Sequence, residues 1–246
     1  MPFEMLPVLD AMRALYEQPR GRNRFQQYLK LLEGETATGL RVPVMHFNPM
    51  AKEGLVEKLR ELQQLDAEAV VAAAVQELNL MPAGRGEEPL FRVALNLADD
   101  LHGGWTNRYT TDYANTFVLS ALLKRGFCTP VCWASESYNP ELIRLRTLAQ
   151  GWRTRYQLWH AQPCAVAEHV AQESFVAAQL PAQLPPPEPV RRELLARYQA
   201  VQHATDQPTL LTFFYGDEAA RELGYREWGD WPAQAGFRVA RLLAAR

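Results

Sequence analysis

The sequence predicts a helix-rich α/β protein with a small, mainly parallel sheet and a helical N-terminal region. Three observations carry that prediction. Apolar residues recur at helical spacing through most of the chain. One stretch, Phe91 to Ala98, alternates with period two instead. A helical segment then separates it from a second β-rich run, Phe127 to Ala134, which is the pattern of a βαβ crossover and a parallel pair.

Each element has its own signals. Leu6, Leu9, Met12, Leu15 and Tyr16 mark a first helix that Pro19 and Gly21 end. Phe25, Tyr28, Leu31 and Leu32 mark a second, closed by Gly34. Turn chemistry follows, with a short extended piece at Val42 to Phe47. Leu55, Val56, Leu59, Leu62 and Leu65 predict a third helix, and Asp66 reads as the N-cap of a fourth, with Glu68 in its first turn.

Beyond the Phe91 strand, LHGGWTNRYTT reads as a polar loop before a helix starting near Asp112. Lys124, Arg125 and Gly126 suit the end of that helix. Asn139-Pro140 opens a long helix as N-cap and N1. Its apolar stripe is Leu142, Leu145, Ala149, Trp152, Tyr156 and Trp159. Another helix covers Ala165 to Leu180, and the proline-rich run Pro181 to Pro189 connects it to a helix at Val190 to His203. PTLLTFFYGDE reads as a third strand, Thr209 to Tyr215, turning at Gly216-Asp217 into a short helix, and Phe237 to Leu243 closes on a terminal one. The expected organisation is a single domain with a helical subregion at 1–85 and an α/β subregion at 88–246.

Of the 246 residues, 48% are hydrophobic and 22% charged, ordinary values for a chain that builds a core. A net charge of -2 gives no electrostatic case for nucleic acid and argues against an anionic membrane surface. No apolar run reaches the ~18 residues of a membrane helix. The first residues lack the basic start and cleavage site of a signal peptide, and three cysteines do not make a disulfide framework, so a cytoplasmic location is expected.

Function is sought at strand ends, because ligands of open parallel sheets bind beyond the carboxyl edge. Three parallel strands would bring together Asp99 and Asp100, Ser135 and Glu136, and Asp217. The loop after the first strand adds His102, Gly103, Gly104, Trp105, Asn107, Arg108 and Tyr109, a mixture typical of binding loops. Asp99 or Asp100 would serve as base or bind a cation, and His102 would move a proton. Arg108 would grip an anionic group, with Asn107, Glu136 and Asp217 lining the site and Trp105 and Tyr109 as its wall. The expected ligand is a small anionic molecule, and a divalent metal at the clustered acids would fit hydrolase-type chemistry.

Blander readings stand beside each of these. The loop glycines simply make a turn, since neither GxGxxG nor GxxxxGK[ST] occurs. His169 and Glu173, four apart, more often form a surface contact than a metal site. Cys128 and Cys132 read as small buried apolar residues. Arg144, Arg146, Arg153 and Arg155 read as a solvated basic face. The competing functional class is a non-enzymatic homo-oligomeric interaction module, suggested by the aromatic stripe on the long helix and the lack of a firm catalytic motif.

Overall fold

The computed structural model describes residues 2–32, 42–44, 48–50, 54–81, 89–101, 106–182 and 184–244. The chain forms two compact units, one made of residues 1–111 and 120–154, the other of 112–119 and 155–246. The extended piece expected at Val42 to Phe47 is not a strand at residues 42–44, and residues 45–47 lie outside the described part, as does Gly34.

In the first unit the order is β1 (Phe3–Met5), α1 (Leu9–Glu17), α2 (Arg22–Leu32), α3 (Gly54–Gln64), α4 (Ala67–Leu80), β2 (Phe91–Val93), β3 (Asn96–Ala98), the start of α5 (Arg108–Phe117), α6 (Ser120–Lys124), β4 (Phe127–Cys128), β5 (Val131–Trp133) and most of α7 (Pro140–Trp159). The strands pair in parallel as β1-β2-β4 and β3-β5, with Arg92 opposite Phe127 and Ala98 opposite Trp133. The helix-rich α/β class and the parallel pairing of Phe91–Ala98 with Phe127–Ala134 are therefore as expected.

Each of those two runs is split in the middle. Pro130 has no N–H to donate, and the ladder is carried across the gap by Ala94 N–H to the Cys128 carbonyl (3.0 Å) and Asn96 N–H to the Pro130 carbonyl (2.8 Å). Phe91, Val93 and every residue from Ala94 to Ala98 are buried, as parallel strands covered on both faces are.

Strand β1 had no signal in the sequence, since three residues are too few to show a period. It is an edge strand, and Asn79 of α4 completes it. The Asn79 side chain accepts from Phe3 N (3.1 Å) and donates to Phe3 O (2.8 Å), standing in for a neighbouring backbone. Glu68 does similar work at α1, where its carboxylate accepts from Val8 N (2.6 Å) and Leu9 N (3.0 Å). Asp66 precedes α4 but makes no side-chain cap, because it sits in the left-handed region at φ 50°. Asn139 caps α7 as expected, accepting from Leu142 N at 2.8 Å.

Every regular element among the described residues of the second unit is a helix. The unit holds the rest of α5 and α7, then α8 (Val166–Ala178), α9 (Glu188–Val201), α10 (Gln207–Tyr215), α11 (Asp217–Glu222) and α12 (Ala235–Ala244). The third strand expected at Thr209 to Tyr215 is instead α10. Asp206 accepts from Thr209 N at 2.9 Å to start it, Pro208 lies in its first turn, and Leu210 to Tyr215 are all buried. A helix buried all round has no polar face to reveal its period. Gly236 of α12 permits close packing on α10, where a Cβ would come within 2.6 Å of the Phe214 ring.

The helix expected from Asp112 to Arg125 starts earlier, at Arg108, and breaks after Phe117. Gln157 takes up the backbone groups freed at the break, donating to Phe117 O (3.0 Å) and accepting from Leu119 N (3.2 Å). Gly126 follows α6 at φ 68°, the left-handed stop its sequence position predicts.

Candidate functional site

At the carboxyl edge of the β3–β5 pair, side chains from four segments of the first unit meet. Asp99 and Asp100 follow β3, Ser135 and Glu136 follow β5, Arg108 opens α5 and Arg146 lies on α7. Asp100 binds the other strand's loop twice, accepting from Ser135 N (2.9 Å) and from the Ser135 hydroxyl (2.6 Å). Arg108 donates to Asp100 (3.1 Å), to the Ser135 oxygen (2.8 Å) and to Glu136 (2.6 Å). Its guanidinium also stands 5.4 Å from the Trp133 ring centre. Arg146 forks onto Glu136 at 2.5 and 2.8 Å and reaches the Val131 carbonyl at 3.1 Å.

Local sequence explains this convergence. The two strand ends lie side by side because β3 and β5 are parallel and in register, so the loops after Ala98 and Trp133 leave in the same direction. Asn107 caps α5, accepting from Thr110 N at 3.0 Å, which sets Arg108 at the first helical position. Lys58 of α3 donates to the Glu136 carbonyl (2.8 Å) and to Glu61 (2.9 Å), fixing the same loop from another side.

The electrostatics follow from burial and pairing. The Asp100 side chain is 5% exposed and Glu136 18%, whereas Arg108 keeps 38%. Burial alone would push the Glu136 carboxyl up, but Arg146 and Arg108 outweigh it and hold Glu136 below the usual carboxylate range. The Ser135 hydroxyl is polarised, giving its hydrogen to a carboxylate while receiving one from a guanidinium. Asp99 is buried, accepts from Leu101 N at 3.1 Å, and its charge helps burial to raise the Tyr16 phenol of α1.

Of the residues singled out from sequence, Asp100, Arg108 and Glu136 are joined directly, with Asn107 positioning Arg108. Tyr109 is half-buried on the same helix. His102 and Trp105 lie outside the described residues. Asp217 needs correction, since it belongs to no strand end. It starts α11 in the second unit and braces the tryptophan loop there, accepting from Trp228 N (2.7 Å) and Trp231 N (3.0 Å). Among the described residues, no group of three or more His, Cys, Asp or Glu is placed to hold a metal ion.

Sequence reasoning missed Arg146 and Lys58. The solvated basic face expected of Arg144, Arg146, Arg153 and Arg155 is not formed by Arg144, Arg146 and Arg155. Arg146 is bound to Glu136, Arg144 bridges Glu77 (2.8 Å) and Glu141, and Arg155 is among the largest fully buried side chains. The spacing of Glu136 and Arg146 around the cap at Asn139 was the available signal. The surface reading of His169 and Glu173 also fails, as both are buried. Cys128 and Cys132 are buried as expected, with thiols that burial pushes up to about 12 and about 11. Trp152 is buried, and in the second unit Tyr156 and Trp159 pack on Phe175 with ring centres 5.4 and 6.2 Å apart.

No protein family, curated protein or solved structure matches the chain. No helix among the described residues is long and apolar enough to cross a membrane.

Proposed function

We propose that the protein binds a small anionic molecule at the carboxyl edge of the β3–β5 pair, with Arg108 as the anchoring cation. The observation that carries this reading is the three-way hold on Arg108 by Asp100, Ser135 and Glu136. A guanidinium fixed in this way is preorganised, yet it keeps 38% of its side chain exposed. A carboxylate or phosphate entering from solvent would meet the donors that these bonds leave, Nε and the second hydrogen of Nη2, on a guanidinium that needs no ordering, while Arg146 neutralises Glu136. In the enzymatic version of the reading, the polarised Ser135 hydroxyl and the carboxylate of Asp100 are the groups nearest the ligand, and the reaction is a hydrolysis.

The test is thermal unfolding with inorganic phosphate, small carboxylates and divalent cations, on the wild type and on Arg108→Ala and Ser135→Ala. A ligand at a hundred times its Kd stabilises by about 2.7 kcal/mol. Stabilisation by an anion that Arg108→Ala abolishes supports the site. Stabilisation that survives both substitutions places binding elsewhere.

The interaction-module reading keeps one observation in its favour. Phe25 and Leu29, one turn apart on α2, are exposed at 38% and 40%. Light scattering decides it, since a monomer at all concentrations removes a second copy of the chain as the partner.

A further inference from the structure

The segment from Asp112 to Leu119 is far in sequence from the rest of the second unit, yet it is held there by side chains at every turn. Gln172 donates to Thr116 O (2.9 Å), and Gln157 bonds Phe117 O and Leu119 N. Tyr215 donates its hydroxyl to Asp112 (2.8 Å). A further fastening is the pair formed by Tyr113 and His169, 2.8 Å apart.

His169 is 0% exposed, and both its ring nitrogens are committed. Nδ1 lies 2.7 Å from the Ala165 carbonyl, which can only accept, so Nδ1 carries the proton. Nε2 is then the acceptor for the Tyr113 hydroxyl. The ring is walled by Phe117, edge-on at 4.6 Å, and by Phe214 at 6.0 Å. A second proton on Nε2 would put a full positive charge on a ring with no solvent exposure, inside an aromatic cage, and would force the Tyr113 hydroxyl to stop donating and turn to accept.

We propose that His169 is an acid-operated latch: its neutral ring fastens the Asp112–Leu119 segment to α8, and protonation releases that segment. The charges around it act in both directions. Burial is the largest influence and holds the imidazole below its ordinary 6.5, while the Ala165 carbonyl, Glu168 and Glu173, all on or beside α8, pull it back up. Arg241 of α12 interacts with Glu173, and Asp112 of α5 is engaged with Tyr215. Cys164, next to Ala165, acts on Tyr113 rather than on the imidazole, disfavouring its phenolate.

The linkage has a definite sign. A histidine depressed in the folded state is neutral there while the unfolded chain already takes up protons. The contribution is complete above 6.5 and is lost as pH falls below it. The experiment follows the imidazole resonances of the five histidines by NMR between pH 8 and 4.5, with amide-exchange protection of residues 112–119 in parallel. The wild type is expected to show His169 titrating below 6.5 and protection falling about tenfold for each pH unit in the same window. His169→Gln, which cannot take up the proton, is expected to flatten the protection profile. A wild-type His169 titrating at or above 6.5, or titrating with protection of the segment unchanged, overturns the proposal, and neither result requires a variant to fold.

Discussion

The carboxyl-edge cluster of the first unit and the clamp on Asp112–Leu119 in the second solve the same problem with different chemistry. Each ties together segments that are distant in sequence. The first uses opposite charges: Asp100 and Glu136 against Arg108 and Arg146. The second relies on the neutral side chains of Gln157, Gln172 and His169. The difference follows solvent access. Arg108 and Arg146 keep 38% and 25% of their side chains exposed, so neither ion is fully stripped of water. Gln172 and His169 are 0% exposed, where an ion would cost several kcal/mol and an amide with all its bonds made costs little. A site that must admit a charged ligand belongs to the first kind, and a clamp that must exclude water belongs to the second.

That contrast sets the order of expected effects. Gln157→Ala should be the most damaging, because it strands Phe117 O, Leu119 N and the Gln172 carbonyl oxygen together in the interior. The expected loss is roughly 3 kcal/mol in urea unfolding. A loss under about 1 kcal/mol would mean that water reaches the break in α5, and the contrast between the two regions would fail.

Arg146→Ala should cost less, about 1–2 kcal/mol, because Glu136 retains Arg108 and some hydration. It should also remove an acid-side dependence. Glu136 is depressed in the folded state, so its contribution is present above the unfolded value of 4.5 and is lost as pH falls through the lower folded value. The variant's stability should therefore vary less with pH below 4.5 than that of the wild type. Stability profiles that superimpose in that range would show that the pair contributes nothing.

Asp206→Ala should cost about 1 kcal/mol through loss of the cap on α10. An effect near zero would question the helical state of that segment. The smallest change is expected at Asp66, where the left-handed backbone favours glycine and no side-chain cap is lost. Asp66→Gly should be neutral or stabilise by about 0.5 kcal/mol. A loss above about 1 kcal/mol would reveal a cap that the fold does not contain.

The sequence by itself determined the helices whose ends are chemically marked. Asn139 with Pro140 and the terminal Gly126 stand where local rules place them. It also determined that the Phe91 and Phe127 runs are parallel neighbours, and from that the meeting of Asp100, Arg108 and Glu136, because a βαβ connection leaves few alternatives. Tertiary structure alone decided the rest, wherever a residue's partner is distant. Strand β1 exists because Asn79 and β2 complete its hydrogen bonds, not because Phe3 to Met5 prefer extension. The run Leu210 to Tyr215 is helical because packing covers it on all sides, so no alternation could distinguish it from a strand. Asp66 lost its cap to a backbone conformation, while Glu68, beside it, caps a helix some 60 residues earlier in the chain. Local propensity specifies where an element starts and stops. What a buried polar side chain bonds to is set by which segments the fold brings within 3 Å of it.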